Sequence, residues 1–188
     1  MDKIFLPLYN ISMKYLILSD LHGSLYHYER IKDIFLSERA DKIVMLGDYA
    51  YYYGIDADCR KTLASLPEKP IAIEGNCDNG CGNIPELDYQ GEMYTENFFS
   101  RQICFTHGDR YNISNIPFFL KEGDILCYGH THMGGLVYKN GLFIANCGSL
   151  SRPRFGYQPS YITIDETEIS LKSSENGEIL EKMKIIKH

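Results

Sequence analysis

Four of the six histidines in this 188-residue chain, His22, His107, His130 and His132, stand just after short apolar runs. Asp20, Asp48 and Asn76 occupy the same kind of position. The runs are Tyr15-Leu16-Ile17-Leu18-Ser19, Ile43-Val44-Met45-Leu46-Gly47, Ile71-Ala72-Ile73-Glu74-Gly75, Ile103-Cys104-Phe105-Thr106 and Ile125-Leu126-Cys127-Tyr128-Gly129. One such residue alone is an ordinary core, cap or turn residue. Five strand-end motifs in one chain point to a shared pocket. Imidazole, carboxylate and amide oxygen, without thiolate, suit Mn, Fe, Ni or Zn rather than a structural Cys-rich zinc site. Alternate residues of an extended loop can both reach inward, as in Asp20/His22 and His130/His132. A carboxylate has two oxygens and can bridge two ions, the role assigned to Asp48. Two ions about 3.5–4 Å apart can hold one hydroxide and clamp both oxygens of an in-line phosphoryl displacement.

The elements that must position these residues follow from the same runs. Ile43 to Leu46 reads as a buried parallel strand, and Gly47 lets the chain turn where it ends. Asp48 then lies at the carboxyl edge, where open α/β sheets place their ligands. Ser24 can cap a helix whose Leu25, Tyr28, Ile31, Ile34 and Phe35 recur at helical spacing. A short helix is expected over Asp58 to Leu66, stopping before Pro67. Strand, helix and strand at this spacing give βαβ units.

After Asn76 the pattern changes. Glu92 to Glu96 and Gln102 to Thr106 read as short strands, and Ile116 to Lys121 as one or two helical turns. Asn140-Gly141 marks a hairpin between Leu136–Lys139 and Leu142–Ala145. Tyr161 to Ile164, Glu168 to Lys172 and Ile179 to Ile186 read as antiparallel strands. Two sheets packed face to face, with helices outside, fit this order better than one doubly wound sheet.

The length suits a single domain, taken as residues 13–188, with residues 1–12 as an N-terminal appendage that adds nothing to the site. A net charge of -6 gives no clear nucleic-acid surface and no footprint for an anionic membrane. A phosphate ester remains acceptable, because local metal charge outweighs a mildly acidic surface. No apolar run spans a bilayer, and the first residues lack a signal-peptide pattern, so a cytoplasmic location is the default. The six cysteines form no paired C-x-x-C pattern, and Cys104 and Cys127 read as small core residues.

Asp20-x-His22, Gly47-Asp48, Gly75-Asn76, His107 and Gly129-His130-Thr131-His132, in this order, resemble the calcineurin-like metallophosphoesterases. Among these they are most similar to the small bacterial and archaeal phosphodiesterases of the YfcE-like group. The resemblance runs from about Met13 to Lys184. It implies a four-layer αββα sandwich of two mixed sheets flanked by helices. It implies two divalent ions, manganese first with iron, nickel or zinc as alternatives. Asp20, His22, Asp48 and His132 would hold one ion, and Asp48, Asn76, His107 and His130 the other. The expected activity is hydrolysis of a small-molecule phosphodiester by a metal-bridging hydroxide, with Asn76 and His107 assisting the phosphate. A protein-binding scaffold of the same fold and a phosphomonoesterase are the alternatives, and a homo-oligomer is left open.

Two departures bear on substrate choice. Gly75-Asn76-Cys77-Asp78 carries cysteine where many relatives have histidine, and a thiol is a poor replacement for an imidazole acid. Cys77 therefore suits leaving groups that need little proton assistance. Asp109, in His107-Gly108-Asp109, replaces a frequent histidine and adds negative charge near a phosphate. Asn146-Cys147-Gly148-Ser149 resembles the family's Asn-Pro-Gly-Ser turn and leads to Arg152-Pro153-Arg154, expected to border the site with an arginine near the substrate. Tyr49, with Tyr51 to Tyr53, is a candidate aromatic wall for the substrate.

Overall fold

A computed structural model describes residues 13–50 and 54–185. The proposed appendage 1–12, Tyr51 to Tyr53 and the expected strand end at Ile186 lie outside the described residues. The chain runs β1 (Tyr15–Leu18), α1 (Leu25–Glu38), β2 (Lys42–Met45), α2 (Ala57–Ala64), β3 (Ile71–Ala72), β4 (Asp88–Tyr89), β5 (Met93–Phe98) and β6 (Arg101–Thr106). It continues through β7 (Ile125–Tyr128), β8 (Gly135–Lys139), β9 (Leu142–Asn146), β10 (Ser160–Ile164), β11 (Glu168–Ser173) and β12 (Ile179–Lys184). One seven-stranded mixed sheet has the order β12-β11-β10-β1-β2-β3-β4, and a five-stranded one has β5-β6-β7-β9-β8. Strands β1 to β4 are parallel to one another, as are β6, β7 and β9.

Strand alternation splits the apolar runs between two layers. Tyr15, Ile17, Val44 and Leu46 face the space between the sheets, where they meet Phe105, Ile125, Cys127 and Phe143. Leu16, Leu18, Ile43 and Met45 face the other way, against Tyr28, Ile31, Phe35 and Leu63 of the helices. These strands are buried on both faces, which explains their unbroken apolar character. The outer face of the smaller sheet presents Cys104, Leu126 and Ile144, covered by Ile113, Ile116, Phe119 and Leu120.

That covering layer is irregular, not helical. The turns expected over Ile116 to Lys121 do not form a helix. The segment closes one turn only, with Leu120 N–H donating to Pro117 O at 3.2 Å. Asp124 instead collects the Lys121 and Gln102 amides at 2.8 Å each. Ser24 does stand at the start of α1, but its hydroxyl engages His27 Nδ1 at 2.8 Å and caps no backbone amide. No helix among the described residues is long and apolar enough to cross a membrane.

Helix α1 is anchored at its far end by Glu38. Its carboxylate accepts from Lys14 Nζ (2.8 Å), Lys172 Nζ (2.8 Å) and Tyr161 Oη (2.7 Å). Burial alone would raise this carboxyl, but the three donors win and bring it down to about 2. A carboxylate depressed in the folded state stabilises above its unfolded pKa, and that contribution is lost as pH falls from about 4.3 toward the folded value. Glu38→Gln is expected to cost on the order of 2 kcal/mol at pH 7 in urea unfolding, with the gap to wild type shrinking below about pH 4. A gap of equal size at pH 7 and at about pH 2.5 would contradict the assignment.

Candidate metal centre

The parallel strands of both sheets deliver their carboxyl ends to one edge of the sandwich. Asp20 and His22 follow β1, Asp48 follows β2, Asn76 follows β3, His107 follows β6, and His130 and His132 follow β7. Pairing continues past the strands. Asp20 N–H donates to Gly47 O (3.1 Å), His22 N–H to Asp48 O (2.8 Å) and Gly129 N–H to His107 O (2.8 Å). The sheets are joined directly where His130 N–H donates to Asp20 Oδ2 at 3.0 Å.

Closeness of the turns demands glycine. A Cβ on Gly75 would collide with the Asp48 amide and Oδ1, and one on Gly129 would strike the Ser19 side chain. The functional residues themselves are forced into a rare conformation. Asp20, His22, Asp48, His130 and His132 all have φ between +46° and +63°. This region is uncommon for residues with a Cβ, and such strain concentrates at functional sites.

The side chains bring lone pairs to lone pairs. His107 Nδ1–H donates to Leu46 O at 2.8 Å, and His132 Nδ1–H to Arg152 O at 2.6 Å. Those bonds fix the tautomers, so each Nε2 turns a lone pair into the pocket. His132 Nε2 then lies 3.0 Å from Asp20 Oδ1 and 3.2 Å from His22 Nε2. His107 Nε2 lies 3.1 Å from Asn76 Oδ1, 3.1 Å from His130 Nδ1 and 3.5 Å from Asp48 Oδ1. Asp48 Oδ2 is 3.9 Å from His22 Nε2, so the two oxygens of Asp48 reach toward both groups.

This arrangement fits divalent cations. Asp20 is fully buried, and no N–H or O–H satisfies its Oδ1. An unpaired buried carboxylate oxygen costs several kcal/mol unless a cation meets it. Two nitrogens each about 2.1 Å from one ion stand roughly 3–3.4 Å apart, as the two histidine pairs do. Titration shifts report the same field. Burial would raise Asp20, yet His132 and His107 hold its carboxyl below the usual range. Burial opposes protonation of His132, and Asp20 overcomes it and raises the ring. Burial lowers both His22 and His130, which favours the neutral, ligating form.

Asp78 was not singled out by sequence, and it holds the turns in place. Its Oδ2 accepts from the Asp48 (2.7 Å) and Gly75 (2.8 Å) amides, and its Oδ1 from Ala50 (3.0 Å). Burial pushes its carboxyl up to about 7 against these three bonds. Asn146 and Ser149 do similar work on the other side. Asn146 Nδ2 donates to Thr131 Oγ1 at 2.7 Å, and Ser149 Oγ to Asp20 O at 2.9 Å. The Asn146 to Arg152 segment thus borders the site, as expected.

Other candidates take different places. Tyr49 is 3% exposed and packs in the helix-side core. It faces a separate cavity of about 330 Å³ lined by none of the proposed ligands, so its part in an aromatic wall is corrected. Cys77 approaches His22 and Asp48 closely enough to share a cation with them. Burial first, and then Asp48, push its thiol up to about 12. Asp109 is exposed, and its charge reaches His130.

Asp78→Asn places an N–H₂ against a backbone N–H and frees at least one amide. It is expected to cost about 2–3 kcal/mol and to weaken metal binding about 10–100-fold by calorimetric titration. Wild-type affinity in a folded Asp78→Asn protein would remove the clamp from the account.

The sequence pattern of the Calcineurin-like phosphoesterase superfamily domain matches residues 13–168. Phosphodiesterase YfcE of Escherichia coli (strain K12) is 29% identical over 182 residues, covering 92% of this chain and 98% of that protein. The solved structure of YfcE, a phosphoesterase from E. coli, aligns with a TM-score of 0.81 at 28% identity over 93% of this chain and 100% of that one. Vps29 from Chaetomium thermophilum shares the fold, with a TM-score of 0.62 at 19% identity over 94% and 98% of the two chains. The family match spans most of the chain, and its two-sheet architecture agrees with the YfcE structure; the chain belongs to the calcineurin-like phosphoesterase superfamily.

Proposed function

We propose that the chain is a two-metal phosphodiesterase acting on a small-molecule diester. The observation that carries the reading is Asp48, whose two oxygens face different clusters of lone-pair donors. Asp20, His22, Asp48 and His132 form one ligand set, and Asp48, Asn76, His107 and His130 the other. Manganese is the first choice, with iron, nickel and zinc sharing this N/O donor chemistry. When bound, such ions supply charge for the phosphoryl oxygens and acidify a water to act as nucleophile near neutral pH.

The chain's own residues fix the rest. His107 spends its Nδ1–H on Leu46 O, so its Nε2 is left to act through ligation of a cation. Asn76 is exposed and directs Oδ1 toward His107 Nε2. Its Nδ2 has only the weak acceptor Cys77 Sγ at 3.4 Å and can turn to a phosphoryl oxygen. Burial and Asp48 push the Cys77 thiol up to about 12, and a thiol is a poorer proton donor than an imidazolium. Leaving groups that need little protonation, as in activated diesters, suit such a site. The buried, unpaired Asp20 oxygen favours a cation-loaded site.

With manganese, bis(4-nitrophenyl) phosphate is expected to turn over faster than 4-nitrophenyl phosphate. Asp48→Asn and His107→Ala are each expected to lower kcat/KM at least about 10²-fold while the fold persists by circular dichroism. Unchanged turnover in both variants, or turnover insensitive to a chelator, would refute the reading. A faster monoester would refute the diester assignment.

A further inference from the structure

The cavity of about 330 Å³ beside Asp78 has no part in the phosphodiesterase reading, because none of the proposed metal ligands lines it. Its floor is the edge of the larger sheet. Alternation along β3 sends Ile73 into the core between the sheets and Ala72 toward the helices. Glu74 is next in phase with Ala72 and lines the cavity. Tyr89 of β4 is the register partner of Ala72, and its hydroxyl donates to Glu74 Oε2. The wall is the 78–87 segment, held by bonds from Cys81 N–H to Asp78 O (3.0 Å) and from Leu87 N–H to Ile84 O (3.0 Å). Gly80 and Gly82 stand in this wall at positive φ, with open space where a Cβ would lie.

The lining selects among ligands. Tyr49, Ile84 and Leu87 are buried and give an apolar, partly aromatic side. Glu74 and Asp78 give two carboxyls, and no lysine, arginine or histidine among the described residues lines the cavity. Asp78 spends its oxygens on three backbone amides. Glu74 is held through Oε2 by the neutral Tyr89 phenol, which leaves Oε1 for a ligand. Its charge is felt across the space. Glu74 first, and then burial, push the Tyr89 phenol up to about 12. Burial, Asp78 and Glu74 all raise the Cys81 thiol. An anion would be repelled here, and a neutral apolar molecule would leave Glu74 unanswered. A cation over a tyrosine ring and against a carboxylate gains from both. The volume is that of a small-molecule site.

We propose that this cavity is a second ligand site, taking an organic ammonium ion with an apolar or aromatic body. The ammonium meets Glu74 Oε1 and the Tyr89 ring, and the body lies along Ile84 and Leu87. The site goes beyond the phosphodiesterase reading and does not depend on it.

The test is calorimetric titration of the full manganese-loaded chain at pH 7 with 2-phenylethylammonium and with 2-phenylethanol, which share a body and differ in charge. The ammonium is expected to bind at least about tenfold more tightly than the alcohol. Glu74→Gln keeps the shape and is expected to bring that ratio to about one. The place of binding is read without a variant. The ammonium is expected to slow iodoacetamide labelling of Cys81 several-fold and to leave Cys77, at the metal centre, unchanged. Equal affinity for the two probes, no binding of the ammonium, or a preference surviving in folded Glu74→Gln would overturn the site. Protection of Cys77 in place of Cys81 would overturn it as well. The comparison of diester and monoester turnover stands apart from all of these outcomes.

Discussion

At the meeting edge of the two sheets, acceptor atoms are packed against acceptor atoms. Asp20 Oδ1 and His132 Nε2 stand 3.0 Å apart, and His107 Nε2 faces both Asn76 Oδ1 and His130 Nδ1 at 3.1 Å. With no proton or cation between them, lone pairs this close are unfavourable. The surrounding backbone holds the crowding in place. Sheet pairing carries on into the turns, glycines let them touch, and Asp78 ties the amides of two different strand ends to one carboxylate. The apolar cores on both faces of β1 and β2 supply the burial that offsets such strain. A cation is the species that turns these repulsions into bonds.

The hydrogen bonds behind the ligands decide what each can do. His107 and His132 both give their Nδ1–H to a backbone carbonyl, which sets the tautomer and aims the other nitrogen. The carbonyl used by His132 belongs to Arg152, so the segment that follows β9 orients a ligand. The superfamily fold can host either an enzyme or a scaffold, and the difference lies in these side chains, not in the sheets.

Much of this could be read from the chain alone. Apolar runs broken by Asp, Asn or His signal a buried strand with a functional end, and the five such runs name the convergent residues. The βαβ spacing fixed the parallel half, and Asn140-Gly141 fixed the hairpin. What stayed hidden depends on non-local or backbone contacts. Asp88–Tyr89 forms an edge strand with both residues exposed, so no apolar pattern announces it. Ile116, Phe119 and Leu120 cover the smaller sheet from an irregular segment, and their spacing alone does not separate that from a helix. Asp78 bonds only to backbone amides, and those partners have no sequence signature. Tyr49 shares its polarity with a surface aromatic, and only the packing shows it to be buried.

The central claim is that Asp48 joins two cations. Electron paramagnetic resonance of the manganese-loaded chain, with the metal counted by native mass spectrometry, tests it most directly. Two ions per chain with an exchange-coupled signal are expected, with the coupling lost in Asp48→Asn. A single ion, or two ions that remain magnetically independent in the wild-type chain, would contradict the account.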